Sequence, residues 1–127
     1  MRKIVAVALV TACGLAVPSF GQHAAAGEIA YPRGSLGYDA LMRGDPMAAE
    51  GQLRANTSVP ANDPARLINL GRALEQTGRH AEAMTMYRAA IDSTKRFDLV
   101  LASGRIADSR LVAKTALRRL ETGFAGR

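Results

Sequence analysis

The chain has 127 residues, of which 48% are apolar and only 5% aromatic, with no tryptophan and a formal charge of +6. That length excludes two ordinary domains and allows one modest core. An Ala- and Leu-rich balance suits helices packed through small residues better than a sheet, which would draw on Val, Ile, Thr and aromatics.

The chain opens with "MRKIVAVALVTACGLAVPSFGQHAAAG". Arg2 and Lys3 precede an apolar run from Ile4 to Val17, and Pro18 and small residues follow. A basic start, a short apolar stretch and small residues beyond it describe a bacterial export signal. The run falls short of the roughly 20 residues that span a bilayer, which disfavours a retained anchor. Residues 1–26 are therefore expected to be an export signal, cut near 21–26 beside Ser19 and Gly21 or beside Ala24 and Ala26. "VTAC" offers a second route, lipidation at Cys13. Soluble periplasmic release is favoured because Cys13 comes early and the apolar run continues past it. Cys13 is the chain's one cysteine, so no intramolecular disulfide forms even in an oxidising compartment.

Residues 27–127 are expected to form a single domain. "EIAYPRGS", Glu28 to Ser35, reads as a polar lead-in. Helical spacing begins near Leu36, stops at "RGDP", resumes from Met47 to Ala55 and breaks at "NTSVPANDP". Asp63 before Pro64 is a strong helix start, with an acceptor at the cap and then a residue that has no N–H to leave unpaired. This helix should run through Leu67, Leu70, Gly71 and Leu74 to Thr77, where Gly78 fits the left-handed terminating position. A second helix, about Ala81 to Ser93, places Ala83, Met86, Tyr87, Ala90 and Ile91 on one stripe. Around "ASGR", Phe97, Leu99 and Leu101 alternate with Asp98 and Val100, so an extended or β-hairpin segment is expected over 97–107. Asp108 or Ser109 then caps a last helix, 108–122, with Gly123 beyond its end and Leu111, Ala113, Ala116, Leu117 and Leu120 on its apolar face.

Two of these stretches echo each other. Leu70, Gly71, Gly78, Ala83, Arg88 and Ala89 match Leu36, Gly37, Gly44, Ala49, Arg54 and Ala55, each pair 34 positions apart. A period of 34 is that of the tetratricopeptide repeat. Leu70-Gly71, Leu74, Gly78, Ala83, Tyr87 and Ala90 resemble that family's signature in order and spacing, and Leu36-Gly37, Ala40, Gly44, Ala49 and Leu53 resemble a degraded first copy. The departures are Asn56 where the last small residue belongs, Arg33 and Leu67 in place of a bulky aromatic, and Lys95 in place of a closing proline. The expected fold is all-α: a short α-solenoid of two hairpins, about 30–60 and 64–94, sealed by a C-terminal capping helix. Gly71 and Ala83 should mark the close approach of two helices, and Tyr87 should fill the space between neighbouring hairpins. A solenoid leaves its last apolar face open, which is the physical need for a cap. So small an array should be only marginally stable.

Chemistry-bearing patterns are sparse. His23 falls in or near the signal, and His80 falls in the expected turn beside Arg79, where the sequence does not point to a general-base role. Carboxylates are scattered, and cysteine is missing from residues 27–127, so neither a metal site nor a cofactor is expected. "ASGR" makes no phosphate loop. The reading is therefore non-enzymatic.

The resemblance implies a protein–protein interaction module of the bacterial envelope, holding a peptide or partner helix in a concave groove. By position, that groove would present Tyr38 and Met42 from the first copy and Asn69, Arg72 and Gln76 from the second. Asn69 matches an asparagine that some family members use to hold a terminal carboxylate. The rest of that clamp falls on Gly34 and Tyr38, so the full clamp is not supported. Arg72 at the centre favours acidic or amide-rich segments. The alternative is a structural envelope component or lipoprotein whose basic last helix meets an anionic surface. From Arg88 to Arg127 there are nine Lys or Arg against four Asp or Glu, with Arg110, Lys114 and Arg118 forming a stripe and Arg119 beside it. Membrane contact would then come only through that helix or a lipid on Cys13. Nucleic acid is disfavoured, because no stacking aromatics interleave the charges.

Overall fold

The structure, a computed structural model, describes residues 3–5, 31 and 34–125. The remainder of the expected export signal, with Cys13, His23 and the cleavage positions, lies outside the described residues. The described chain is mostly helical: α1 (Tyr38–Met42), α2 (Pro46–Ala55), α3 (Pro64–Gln76), α4 (His80–Asp92) and α5 (Ser109–Ala125). Strands β2 (Phe97–Val100) and β3 (Ile106–Asp108) form an antiparallel hairpin between α4 and α5, with Leu99 opposite Ala107. Strand β1 (Lys3–Val5) lies parallel along β2, Lys3 opposite Phe97.

Helices α2, α3 and α5 begin where an aspartate supplies a cap, whereas α1 and α4 start at Gly37 and Arg79 without one. The Asp45 carboxylate accepts from Ala48 N–H ahead of Pro46, and the Asp63 carboxylate accepts from the N–H groups of Ala65 and Arg66 ahead of Pro64. At α5, Asp108 Oδ1 accepts from Arg110 and Leu111 N–H. These bonds satisfy donors that the first turn of a helix leaves orphaned. Gly44 and Gly78, 34 residues apart, both take the left-handed conformation, with φ of 73° and 76°.

The repetition extends beyond the glycines to the bonding of the turns. Arg43 N–H donates to the Asp39 carbonyl, Gly44 to Leu41 and Asp45 to Ala40. Thirty-four residues on, Thr77 donates to Ala73, Gly78 to Glu75 and Arg79 to Leu74. Packing repeats too: Ala49 and Ala83 are fully buried, as are Ala40 and Leu74, and Leu53 and Tyr87 occupy matching core positions. The first copy differs in its opening helix, which has five residues in place of thirteen.

Successive helices pack on one another, α1 on α2, α2 on α3, α3 on α4 and α4 on α5, and α5 also reaches α3. The main core joins Leu36, Leu53, Leu67, Leu70, Leu74, Tyr87, Phe97, Leu99, Ala113 and Leu120. A smaller cluster of Ala40, Leu41, Ala49 and Ala73 lets α1, α2 and α3 approach closely.

Several expectations change in detail. Tyr87 packs against its own hairpin as well as lining the hollow walled by α5. Its ring lies across α3 of its own hairpin, so close that a methyl group on Gly71 would stand 2.7 Å from Cε1. Gly123 is inside α5, which continues to Ala125, because nothing in the last turns calls for a left-handed residue. Leu111, assigned to the apolar face of that helix, is 60% exposed, and Val112 packs against the core in its place. His80 is the half-buried first residue of α4 and not a turn residue.

Glu50 ties the two halves together. Its buried carboxylate accepts from Arg54 on its own helix and from Arg79 Nη1 at the start of α4, at 2.8–2.9 Å. The Arg54 hydrogen bond, followed by Arg79, outweighs burial and holds the carboxyl below its ordinary value of 4.5. A depressed carboxylate contributes stability that is complete above the unfolded-state value and is lost as pH falls through the folded one. Glu50→Gln should therefore lower the thermal midpoint at neutral pH and flatten its dependence below about pH 4.5. Scanning calorimetry at neutral and acid pH checks this; equal acid sensitivity in both proteins would remove Glu50 from the account.

Candidate functional site

A broad concavity follows from two departures from a plain helical stack. Helix α1 is short, so α3 is uncovered along part of one face. The hairpin after α4 then folds back towards that face and brings an apolar strand with it. Between them lies an open-sided cavity of about 360 Å³, lined by Leu36, Tyr38, Leu41 and Met42 on one side, Ala65, Ile68, Asn69 and Arg72 on the floor, and the stretch from Leu99 to Ser103 with Val112 on the other. The size suits a few side chains of a partner or a small ligand.

Four of the five expected groove residues, Tyr38, Met42, Asn69 and Arg72, meet in this lining. Gln76 does not; it is exposed one turn further along α3. Met42 is 54% exposed at the rim, an apolar side chain left facing water. Asn69 is partly committed, because Nδ2 donates 2.9 Å to the Leu36 carbonyl and pins α3 to the approach to α1. That bond gives Asn69 a positioning role and leaves its second N–H and its Oδ1 outside it. Arg72 is exposed, and no ion pair to it occurs among the described residues. It lies near enough to the Tyr87 phenol to oppose the upward push that burial and Glu75 exert on that hydroxyl.

Sequence reasoning missed the far wall, Leu99 to Ser103 and Val112. The alternation of Phe97, Leu99 and Leu101 was a usable signal, since it gave the strand two distinct faces. One buries Phe97 and Leu99 in the core, and Leu99 and Leu101 also reach the cavity edge.

The four basic residues expected on the last helix divide. Arg110 is half-buried and donates 3.1 Å to the Ser93 carbonyl at the end of α4. Arg119 donates 2.7 Å to both oxygens of Glu75 on α3. Lys114 and Arg118 stay exposed. The stripe is thus half anchoring and half free surface, because α5 turns one flank against α3 and α4.

Among the described residues, no group of three or more His, Cys, Asp or Glu is placed to hold a metal ion, and no helix is long and apolar enough to cross a membrane. The chain matches no family model, no curated protein and no solved structure.

Proposed function

We propose that the chain is a tetratricopeptide-type interaction module of the bacterial envelope, exported by its N-terminal segment, non-enzymatic and without a cofactor. It holds a peptide or partner helix in the cavity between α1, α3 and the β2–β3 hairpin. The observation that carries the reading is the lining of that cavity, apolar at its walls with the Arg72 guanidinium at its floor. The two-fold recurrence of turn bonding at a 34-residue interval supports the repeat assignment.

Apolar walls give a partner's side chains somewhere to lose water, at roughly 25 cal/mol per Å² of area removed. One exposed arginine selects against a cationic partner more strongly than it adds affinity, since exposed pairs contribute about 0.2–1 kcal/mol. The test begins with crosslinking and affinity capture from envelope extracts, followed by calorimetry with the purified partner. Arg72→Glu should weaken that complex by roughly tenfold, equal to about 1.4 kcal/mol. Met42→Asp should weaken it at least as much, by wetting the rim. Unchanged affinity in both variants would rule the cavity out as the partner site.

The alternative reading, docking of α5 on an anionic surface, rests on Lys114 and Arg118, the exposed members of the stripe. It predicts loss of surface retention on charge reversal at those positions, with steep salt dependence.

A further inference from the structure

A second concavity of about 280 Å³ lies on the other side of Ile68, between α3, the hairpin and α5. It shares Ile68, Arg72, Leu101 and Val112 with the first, so the two hollows are neighbours along one surface, here called the trough. The ends of the trough differ chemically. The α1 end is walled by Leu36, Leu41, Met42 and Leu99, whereas the α5 end adds Arg105 and Arg119 to Arg72. The lining of the whole trough holds these three arginines and no carboxylate. Glu75 beside it is already bound by Arg119 and by the Tyr87 hydroxyl. An exposed apolar residue stands at each end, Met42 at 54% and Leu111 at 60%.

From this we infer that the partner is a single amphipathic segment lying along the trough, its apolar part in the α1 cavity and its acidic part against Arg72, Arg105 and Arg119. The inference rests on the groove reading above and adds the direction and charge of the occupant. Charge complementarity argues for it, because a neutral apolar segment would leave the Arg72 and Arg105 guanidiniums, which have no ion pair among the described residues, facing it without counterions, and Arg119 would have Glu75 alone. An anionic headgroup would satisfy the arginines and leave the apolar cavity empty. Arg105 takes part only if the segment passes the hairpin, and that separates this binding mode from docking in the first cavity alone.

The probe is a fluorescein-labelled synthetic peptide with a leucine-rich half followed by a glutamate-rich half. It is read by anisotropy against the full chain, beside a counterpart with lysine for glutamate and vesicles containing phosphatidylglycerol. The acidic peptide should bind about tenfold or more tightly than its lysine counterpart and weaken as salt is raised. Arg105→Glu, on the exposed turn of the hairpin, should weaken it on the order of tenfold, and Arg105→Lys should largely retain it. Arg119→Glu should act in the same direction, with circular dichroism confirming that the helices persist. Equal binding of both peptides with no effect of Arg105→Glu would overturn the inference and leave the groove reading standing. Arginine-dependent capture of vesicles with neither peptide bound would overturn it in favour of a headgroup. If no probe binds, it also fails, and the groove reading is then decided by Arg72→Glu with the captured partner.

Discussion

Tyr87→Ala should cost about 3–5 kcal/mol of folding stability, the range for truncating a large buried ring. The side chain is 1% exposed, and its hydroxyl donates 2.9 Å to Glu75 Oε2, so both its apolar body and its polar tip are engaged. Small domains hold roughly 5–15 kcal/mol in total, and this one substitution would remove a large share. Urea unfolding should show the midpoint falling with little change in slope. A loss below about 1 kcal/mol would mean that the ring is not packed as described. The contact with Gly71 sharpens the test. A methyl group there would meet Cε1 at 2.7 Å and Cδ1 at 2.9 Å, and a ring held at its hydroxyl end has little freedom to withdraw. Gly71→Ala alone should cost about 1–3 kcal/mol by overpacking. In the Tyr87→Ala background most of that cost should vanish, a coupling that a double-mutant cycle measures directly.

Asp63→Ala is expected to remove a further ~2–4 kcal/mol, as the loss of a helix cap is joined by a stranded hydroxyl. Asp63 is 3% exposed. One oxygen accepts from Ala65 and Arg66 N–H, and the other accepts 2.8 Å from the Tyr31 hydroxyl, fastening the lead-in to the start of α3. Asp63→Asn keeps an oxygen for the cap and offers Tyr31 a donor in place of an acceptor, so it should cost less than half as much. Tyr31→Phe removes the orphan and should be milder than Asp63→Ala. Denaturant midpoints of the three variants order them, and equal losses for alanine and asparagine would show that the cap contributes nothing.

These two sites mark opposite degrees of legibility. The Asp63-Pro64 start could be read directly, because capping is a property of a few consecutive residues and their backbone. The left-handed Gly78, the matching Gly44, the hairpin around Gly104 and the burial of Ala83, Ala90 and Leu99 belong to the same class. The role of Tyr31 did not: a tyrosine in a polar stretch gives no sign that an aspartate 32 residues later will accept from it.

The candidate site divides in the same way. Tyr38, Met42 and Arg72 could be placed on one surface because a fixed period and helical spacing transmit position along the chain. Asn69 kept its position, and its bond to the Leu36 carbonyl, 33 residues away in the chain, could not be read from the sequence. Gln76 fell outside because one further turn along α3 carries it past the cavity. On α5, spacing put Arg110, Lys114 and Arg118 in line, yet could not say which flank would lie against α3 and α4.

By itself, then, the amino-acid order determined the helical character, the caps, the turn glycines and the 34-residue recurrence, all set by interactions within about one helical turn or by a repeated local pattern. Only the tertiary structure decided that the hairpin walls the cavity, that Arg110 and Arg119 serve as anchors, and that two hollows share Ile68 and Arg72. Those outcomes depend on the angle at which distant elements meet, and that angle is set by the summed packing of side chains far apart in the chain.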